Sequence, residues 1–208
     1  MNAIENFAVI LSAGKSGRMG REKASLPWLE EKSLLQWTVD SLATAGWRPL
    51  VVLAPERFPA WNAVLPAGCA VLNPDPTRGK TTSLAAGLRA VPDEARRILI
   101  TAVDQPRPPV LYERLHRESA ASPAKILVPD YLGRRGHPVV VAGSTRDELL
   151  TLDEGSQGLR GWLDAHRAET RRLMDCDPSW LKWDLNTPAA YEEALRAFRR
   201  SWPPKTAQ

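Results

Sequence analysis

Short apolar runs alternate with helical segments along most of the chain. The apolar runs lie at 7–11, 50–54, 69–72, 98–103, 126–128 and 138–142. They are nearly unbroken by polar side chains, which is typical of strands buried on both faces. Helical periodicity predicts helices at 32–45, 82–91, 108–120 and 157–168. This alternation of strand and helix predicts a three-layer α/β domain with a parallel or mixed sheet.

A further amphipathic helix is predicted near the end of the sequence. Thr187 has the side chain of an N-cap, and Pro188 suits the first helical position. An apolar stripe at helical spacing follows, formed by Tyr191, Ala194, Leu195, Phe198 and Trp202. Because such a stripe docks on a sheet, we predict a single domain over 1–202 and a flexible tail over 203–208.

Composition and charge narrow the class of protein. The 208 residues are 43% hydrophobic and 25% charged, as in an ordinary globular chain. No apolar run reaches the ~20 residues of a membrane span, and no signal peptide is apparent. We therefore expect a cytoplasmic protein with no membrane partner. Two cysteines, Cys69 and Cys176, are too few for a disulfide framework.

The net charge of +4 is scattered rather than clustered. No run of five or more basic residues occurs, which disfavours nucleic acid as a partner. A small phosphorylated ligand accounts for the basic excess equally well.

A glycine-rich basic loop follows the first predicted strand. It contains Gly14, Gly17, Gly20 and the basic residues Lys15, Arg18, Arg21 and Lys23. Successive backbone N–H groups in such a loop form an anion-binding nest, and open α/β sheets bind ligands at this position. The glycine spacing fits neither the dinucleotide fingerprint nor the P-loop. The loop therefore predicts a phosphate cradle of another kind, with a merely flexible basic loop as the alternative.

The motif Leu11-Ser-Ala-Gly-x-Ser-x-Arg-Met-Gly-x-x-Lys23 resembles the N-terminal signature of the MobA-like nucleotidyltransferases of molybdenum cofactor synthesis. The resemblance implies a three-layer, Rossmann-like nucleotidyltransferase fold with a mixed, mainly parallel sheet. It also implies that the loop wraps a nucleoside triphosphate and that Arg18 and Lys23 are catalytic, phosphate-binding residues. The nucleotide-binding residues of the loop would be Leu11, Ser12, Ala13, Gly14, Ser16, Arg18 and Lys23.

A second block resembles the family's nucleotide-binding segment. Asn73 precedes the pattern Gly79-x-x-x-Ser83-Leu84-x-x-Gly87-Leu88. The resemblance implies that Asn73, Ser83 and Gly87 meet the base and ribose. Alternatively, Thr82 or Ser83 caps the following helix and has only a structural role.

Asp104 follows a buried apolar strand, where a carboxylate is costly unless it is solvated, paired or bound to a cation. The block Asp104-Gln-Pro106 resembles the family's D-Q-P block, whose aspartate holds Mg²⁺. The resemblance thus implies a catalytic, metal-binding Asp104 and Mg²⁺ as cofactor. The alternative is an aspartate that caps the helix near Pro106.

The block Gly133-Arg-Arg-Gly136-His137-Pro138 resembles the family's acceptor-binding block. It implies that Arg135, Gly136 and His137 bind a molybdopterin-type acceptor, although a histidine before a buried strand is often structural. Gln157 departs from the family pattern, because an arginine is usual there.

The segment Asp184-Leu-Asn186-Thr-Pro188 resembles the family's D-x-D-T-P block. It implies a second metal ligand, either Asp184 or Asn186, and an amide oxygen at 186 would bring no charge. Asn186 can equally cap the last helix. Trp180 and Trp183 flank this segment and either pack or line the acceptor.

The resemblance of these blocks implies Mg²⁺-dependent transfer of a nucleoside monophosphate to the phosphate of molybdopterin, with release of pyrophosphate. CTP is the favoured nucleotide, because Ala13-Gly14 and the second block are closer to the cytidylyl branch of the family. One alternative is transfer to another phosphorylated small molecule, such as a sugar phosphate. The other is a catalytically weak insertion partner of a molybdenum hydroxylase apoenzyme.

Overall fold

A computed structural model of the protein describes residues 6–14, 19–177 and 183–201. The predicted site residues Ser16 and Arg18 lie outside these ranges, as do Trp180, Trp202 and the predicted tail at 203–208. The single domain over 1–202 stays a prediction.

The described residues form one eight-stranded sheet, whose strands are β1 (Asn6–Leu11), β2 (Arg48–Leu53), β3 (Ala70–Leu72), β4 (Arg97–Ala102), β5 (Ile126–Tyr131), β6 (Arg134–Arg135), β7 (Val139–Ala142) and β8 (Thr170–Leu173). Their order in the sheet is β3-β2-β1-β4-β7-β5-β6, and β8 also pairs with β5. Strands β1 to β4 pair in parallel, and so do β5 and β8. Strand β7 is antiparallel to both β4 and β5. The mixed, mainly parallel sheet expected from the sequence is confirmed.

Helices cover both faces of this sheet. They are α1 (Leu34–Thr44), α2 (Phe58–Val64), α3 (Lys80–Ala90), α4 (Pro109–Ala121), α5 (Arg146–Leu150), α6 (Gly158–Ala165) and α7 (Pro188–Ser201). Successive strand residues belong to opposite cores: Ile10 lies in the core that includes residues of α1, α4 and α7, and Val9 lies in the core that includes residues of α3, α5 and α6. Burial on both faces explains why the strands read as unbroken apolar runs.

The last helix begins as the sequence predicts. The Ala190 N–H donates to Thr187 Oγ1 at 3.2 Å, so Thr187 is the cap and Pro188 the first helical residue. Tyr191 and Phe198 of the predicted stripe are buried.

Other elements differ from the prediction. Helix α3 begins at Lys80, before the predicted start, and α6 ends at Ala165, before the predicted end. The strand β8 that follows α6 was not predicted, because of its four residues only Leu173 is buried. The short elements α2, α5 and β6 were missed too. Within the described ranges, no helix has the length and apolarity needed to cross a membrane.

Candidate active site

A cleft of about 380 Å³ opens at the carboxyl edge of the parallel strands. Eight of the residues predicted from the sequence line it: Leu11, Ser12, Ala13, Gly14, Lys23, Ser83, Asp104 and Asn186. They come from four separate stretches of sequence, which the fold brings to one place.

The sheet explains why the first loop and Asp104 meet. Leu11 is the last residue of β1 and pairs in register with Ala102, the last residue of β4. The Val103 N–H then donates to the Leu11 carbonyl at 3.1 Å. Because both parallel strands end at this edge, the loops that follow them leave the sheet side by side.

Lys23 contacts both the Asp104 carboxylate and the Asn186 side-chain amide in the cleft. Its Nζ donates to Asp104 Oδ2 at 2.6 Å and to Asn186 Oδ1 at 2.9 Å. The Lys23 side chain is 14% exposed and that of Asp104 27%, so solvent screens this ion pair only in part. The ammonium group thus marks a point where both oxygens reach one cation.

Backbone contacts place Asn186 beside Asp104. The Leu185 N–H donates to the Asp104 carbonyl at 2.8 Å, which ties this segment to the loop after β4. Thr187 caps α7, so the alternative that Asn186 is the cap is wrong. Asp184 is 47% exposed and lies 3.9 Å from Arg107 Nη2, outside the lining of the cleft.

Two further alternatives from the sequence are settled. Helix α4 begins at Pro109 without a side-chain cap, so Asp104 does not cap it. Trp183 is 8% exposed and its ring packs against Phe198 at a centroid distance of 4.4 Å, so Trp183 is a packing residue.

The second sequence block, residues 79–88, contributes the side chain of Ser83 to the lining of the cleft. Helix α3 begins at Lys80 after Gly79, whose φ is 115°, and has no side-chain cap. Ser83 and Thr82 both lie inside this helix, so neither is its cap. Asn73 is buried below Ser83, and Asn73 Nδ2 donates to Ser83 Oγ at 2.9 Å. Asn73 therefore orients the serine from outside the lining.

Gly87 also lies outside the lining of the cleft. A Cβ atom at Gly87 would lie 2.3 Å from Val9 Cγ1 and 3.0 Å from Val52 Cγ2. The absence of a side chain thus allows α3 to pack closely on β1 and β2, which sets the distance from this helix to the first loop.

Sequence reasoning missed two basic residues of the cleft, Arg57 and Lys80. Arg57 Nη1 donates to the carbonyl oxygens of Gly14 at 3.1 Å and Ser12 at 3.3 Å, so it holds the first loop in shape. Lys80 lies in Gly79-Lys80-Thr81, which matches the last three positions of a P-loop motif, whereas nothing in the sequence singled out Arg57. Within the described lining, these two residues and Lys23 outweigh the single acid Asp104, which favours an anionic ligand.

The predicted acceptor residue Arg135 lines a second cleft, of about 350 Å³. Its lining residues are Gly133, Arg135, Arg167, Thr170 and Arg172. Arg135 pairs there with Asp164, and Arg172 Nη2 lies 2.6 Å from Asp130 Oδ2. Gly133 and Arg135 follow the carboxyl end of β5, which runs in the same direction as β4, whereas Thr170 begins β8 at the other end of β5.

Gly136 and His137 lie between buried side chains, outside the first cleft. A Cβ atom at Gly136 would meet the Tyr131 ring at 1.8 Å. The His137 carbonyl accepts hydrogen bonds from Tyr131 Oη at 3.1 Å and from Arg107 Nε at 3.2 Å. Burial, and then the nearby Arg107 charge, lower the pKa of His137, so its ring favours the neutral form.

The residues present fit a divalent cation that shares its coordination with a ligand. Among the described residues, no group of three or more His, Cys, Asp or Glu side chains is placed to hold a metal. However, Asp104 and Asn186 offer two oxygens to one cationic group, Lys23 Nζ. Mg²⁺ commonly takes one or two protein carboxylates and completes its shell with phosphates and waters. The donor set is therefore adequate in the presence of a nucleotide.

Residues 8–170 match the MobA-like NTP transferase domain. The chain belongs to this family. It is 29% identical over 189 residues to a nicotine blue oxidoreductase of Paenarthrobacter nicotinovorans, covering 86% of this chain and 91% of that protein. It is 31% identical over 177 residues to a probable molybdenum cofactor guanylyltransferase of Mycobacterium avium, covering 81% and 85%. Because these names describe different activities, family membership alone leaves the substrate open.

Solved structures show the same fold. Rv0371c of Mycobacterium tuberculosis matches with a TM-score of 0.77 and 28% identity, over 94% of this chain and all of that one. A structure of the same protein in complex with manganese matches with a TM-score of 0.69 and 23% identity, over 93% of this chain and 99% of that one.

Proposed function

We propose that this protein transfers a nucleoside monophosphate from a nucleoside triphosphate to the phosphate of a molybdopterin-type acceptor. The observation that carries the proposal is the convergence of the first loop, Lys23 and Asp104 on one basic cleft. Three basic side chains and one carboxylate line the cleft in the described residues, and this composition supports binding of an anionic ligand together with its metal ion.

The loop 11–14, Lys23 and Lys80 would bind the phosphates, together with Arg18, which lies outside the described residues. Lysine provides a compact charge and arginine a planar fork for phosphate oxygens. Arg57 holds this loop in shape by donating hydrogen bonds to the Ser12 and Gly14 carbonyls. Ser83, oriented by Asn73, would meet the nucleoside.

Asp104 and Asn186 would hold the divalent cation, with Mg²⁺ as the proposed ion. When bound, the cation would neutralise phosphate charge and polarise the phosphorus under attack. The protein needs no covalent intermediate, because positioning and charge stabilisation suffice for transfer of a phosphorus group. Removal of the carboxylate is therefore expected to reduce turnover without unfolding the protein.

The acceptor would lie on the side of Arg135, Gly136 and His137. Arg135 is half-buried, and its ion pair with Asp164 restrains its guanidinium group within the second cleft. Gly133 and Arg135 follow the carboxyl end of β5, and this supports an acceptor whose phosphate reaches the first cleft while other groups reach the second.

CTP is the proposed nucleotide, on the basis of Ala13-Gly14 and of the block around Ser83. The matched guanylyltransferase makes GTP the natural competitor. A partner role toward a molybdenum hydroxylase apoenzyme is the second candidate, since Asn186 and Gln157 each lack the charge usual at that position.

The decisive experiment measures pyrophosphate release with CTP, GTP and ATP in the presence of Mg²⁺, with and without molybdopterin. We expect release that needs molybdopterin and is fastest with CTP. An Asp104→Asn variant, which keeps size but loses charge, is the control. Pyrophosphate release with a sugar phosphate in place of molybdopterin would reassign the acceptor. If no pyrophosphate is released with either acceptor, the result would favour the role as a partner of a molybdenum hydroxylase.

A further inference from the structure

Arg107 is a buried cation next to the cleft that the sequence analysis did not single out. Its side chain is only 1% exposed, which makes it one of the largest fully buried side chains among the described residues. Arginine keeps its proton in proteins, so a charge has been moved out of water at this point. Such a burial is costly unless the guanidinium group finds several good acceptors.

The guanidinium group joins three segments of the chain. Arg107 Nε donates to the His137 carbonyl at 3.2 Å, and Nη1 donates to the carbonyls of Pro106 and Trp183, each at 3.0 Å. Nη2 lies 3.9 Å from Asp184 Oδ1. Arg107 thus links the loop after β4 and the turn before β7 to the segment before α7.

That last segment, residues 183–186, is here called the strap. Its side chains alternate: Trp183 and Leu185 are buried, whereas Asp184 is exposed and Asn186 is partly exposed at the cleft. Two backbone tethers fix it, the Arg107 bond to the Trp183 carbonyl and the Leu185 N–H bond to the Asp104 carbonyl. Both tethers lead back to 104–107, so Asn186 Oδ1 is held at a set distance from the Asp104 carboxylate.

The two polar residues of the strap differ in what they contact. Asp184 lies on the side of Arg107, 3.9 Å from Nη2, and is not part of the cleft lining. The neutral amide of Asn186 reaches Lys23 Nζ. A lysine at 107 could keep the charge, but its single nitrogen cannot occupy the separate positions of Nε and Nη1, from which the planar guanidinium group reaches the carbonyls of His137 and Trp183.

We infer that Arg107 is a positioning residue for the divalent-cation site: it clamps the strap so that Asn186, rather than Asp184, completes the site of Asp104. This inference rests on the proposed function. It assigns to a buried residue a role in metal affinity that is separate from its role in folding.

The test compares Arg107→Lys with the matched variant Arg97→Lys. Arg97 is also buried, at 6% exposure, and also donates to two backbone carbonyls, of Ala124 at 2.7 Å and of Ser122 at 2.5 Å. It stands at the opposite end of β4, far from Asp104 along the strand. Both variants are therefore expected to lower the melting temperature.

The readout is Mn²⁺ binding to the folded protein with a nonhydrolysable triphosphate, measured by electron paramagnetic resonance below the melting transition of each variant. We expect Arg107→Lys to weaken Mn²⁺ binding by about tenfold and Arg97→Lys to leave it unchanged. In turnover, Arg107→Lys should lower kcat more than it raises the KM for the triphosphate, because the phosphate-binding loop is untouched.

The possible results separate the two proposals. Wild-type affinity in Arg107→Lys, or an equal loss in Arg97→Lys, would overturn the positioning role and leave the transferase proposal standing. If the wild-type protein binds no Mn²⁺ with the triphosphate, both proposals fail. If Arg107→Lys does not fold, Arg107→Gln is measured in the same way, since glutamine retains a planar donor without the charge.

Discussion

Lys23 Nζ lies 2.6 Å from Asp104 Oδ2, inside the lining of the cleft. The same ammonium group bonds Asn186 Oδ1, so it stands between the two oxygens proposed to hold the metal ion. Under the proposed function, a divalent cation held by these two oxygens would take the place of the ammonium group, which would then contact the phosphates. Under the proposed function, the Lys23 ammonium would balance the Asp104 charge until a nucleotide and its metal ion bind.

Lys23→Met is expected to change metal binding and turnover in opposite directions. Without the competing ammonium, Mn²⁺ should bind the nucleotide-free protein more tightly, as titration calorimetry would measure. Turnover should fall roughly 10²-fold or more, the usual loss for a single group that stabilises developing charge. Lys32→Met is the control, because Lys32 pairs with Glu30 and Asp40 outside the cleft lining. Full transferase activity in Lys23→Met would contradict the assignment.

Asn186 and Asp184 are expected to differ in their effect on the metal. Asn186→Ala should weaken Mn²⁺ binding with the triphosphate, and Asn186→Asp should strengthen it because a carboxylate adds charge at the same place. Asp184→Ala should change the affinity less, since that side chain is 47% exposed and lies outside the cleft lining. A larger loss in Asp184→Ala than in Asn186→Ala would reverse the two roles.

Gly87→Ala is expected to destabilise the fold. The added Cβ atom would lie 2.3 Å from Val9 Cγ1, so α3 must shift away from the sheet. Overpacking of this kind lowers the free energy of unfolding by about 1–3 kcal/mol, which chemical denaturation would measure. Gly155→Ala is the control, since its nearest non-neighbouring atom lies at an ordinary 3.4 Å. Equal stability of the two variants would show that α3 has room to adjust.

His137 is expected to reduce the stability of the protein in mild acid. Its pKa is lowered in the folded state, chiefly by burial, whereas an unfolded histidine titrates near pH 6.5. The unfolded chain therefore binds more protons, and stability should fall as the pH drops below about 6.5. His137→Gln should flatten the stability profile between about pH 6.5 and pH 5.

A group of carboxylates with lowered pKa values changes the stability of the protein in a lower pH range. The group consists of Asp153, Glu154, Asp164 and Glu169. Their stabilising effect is lost only as the pH falls below about 4.5, so the two contributions can be measured apart. An unchanged slope above pH 5 in His137→Gln would show that the His137 ring is not held neutral.

Much of the fold could be predicted because most of its longer strands, such as β1, β4 and β5, are buried on both faces. The six predicted strands correspond to β1–β5 and β7, and five predicted helices correspond to α1, α3, α4, α6 and α7. The missed elements are short or polar, such as β8 and α2, and carry little periodic signal. Their positions depend on neighbouring strands and helices rather than on local pattern.

The sequence by itself determined the alternation of layers and the residue types of the loop, of Lys23 and of Asp104, since each is a local feature of the chain. Only the tertiary structure decided that Asn186 rather than Asp184 meets Asp104 at Lys23 Nζ, that Asn73 and Gly87 lie outside the cleft lining, and that Arg57 holds the first loop. The physical reason is that these roles depend on hydrogen bonds and close packing between segments far apart in sequence, and residue type alone does not specify such contacts.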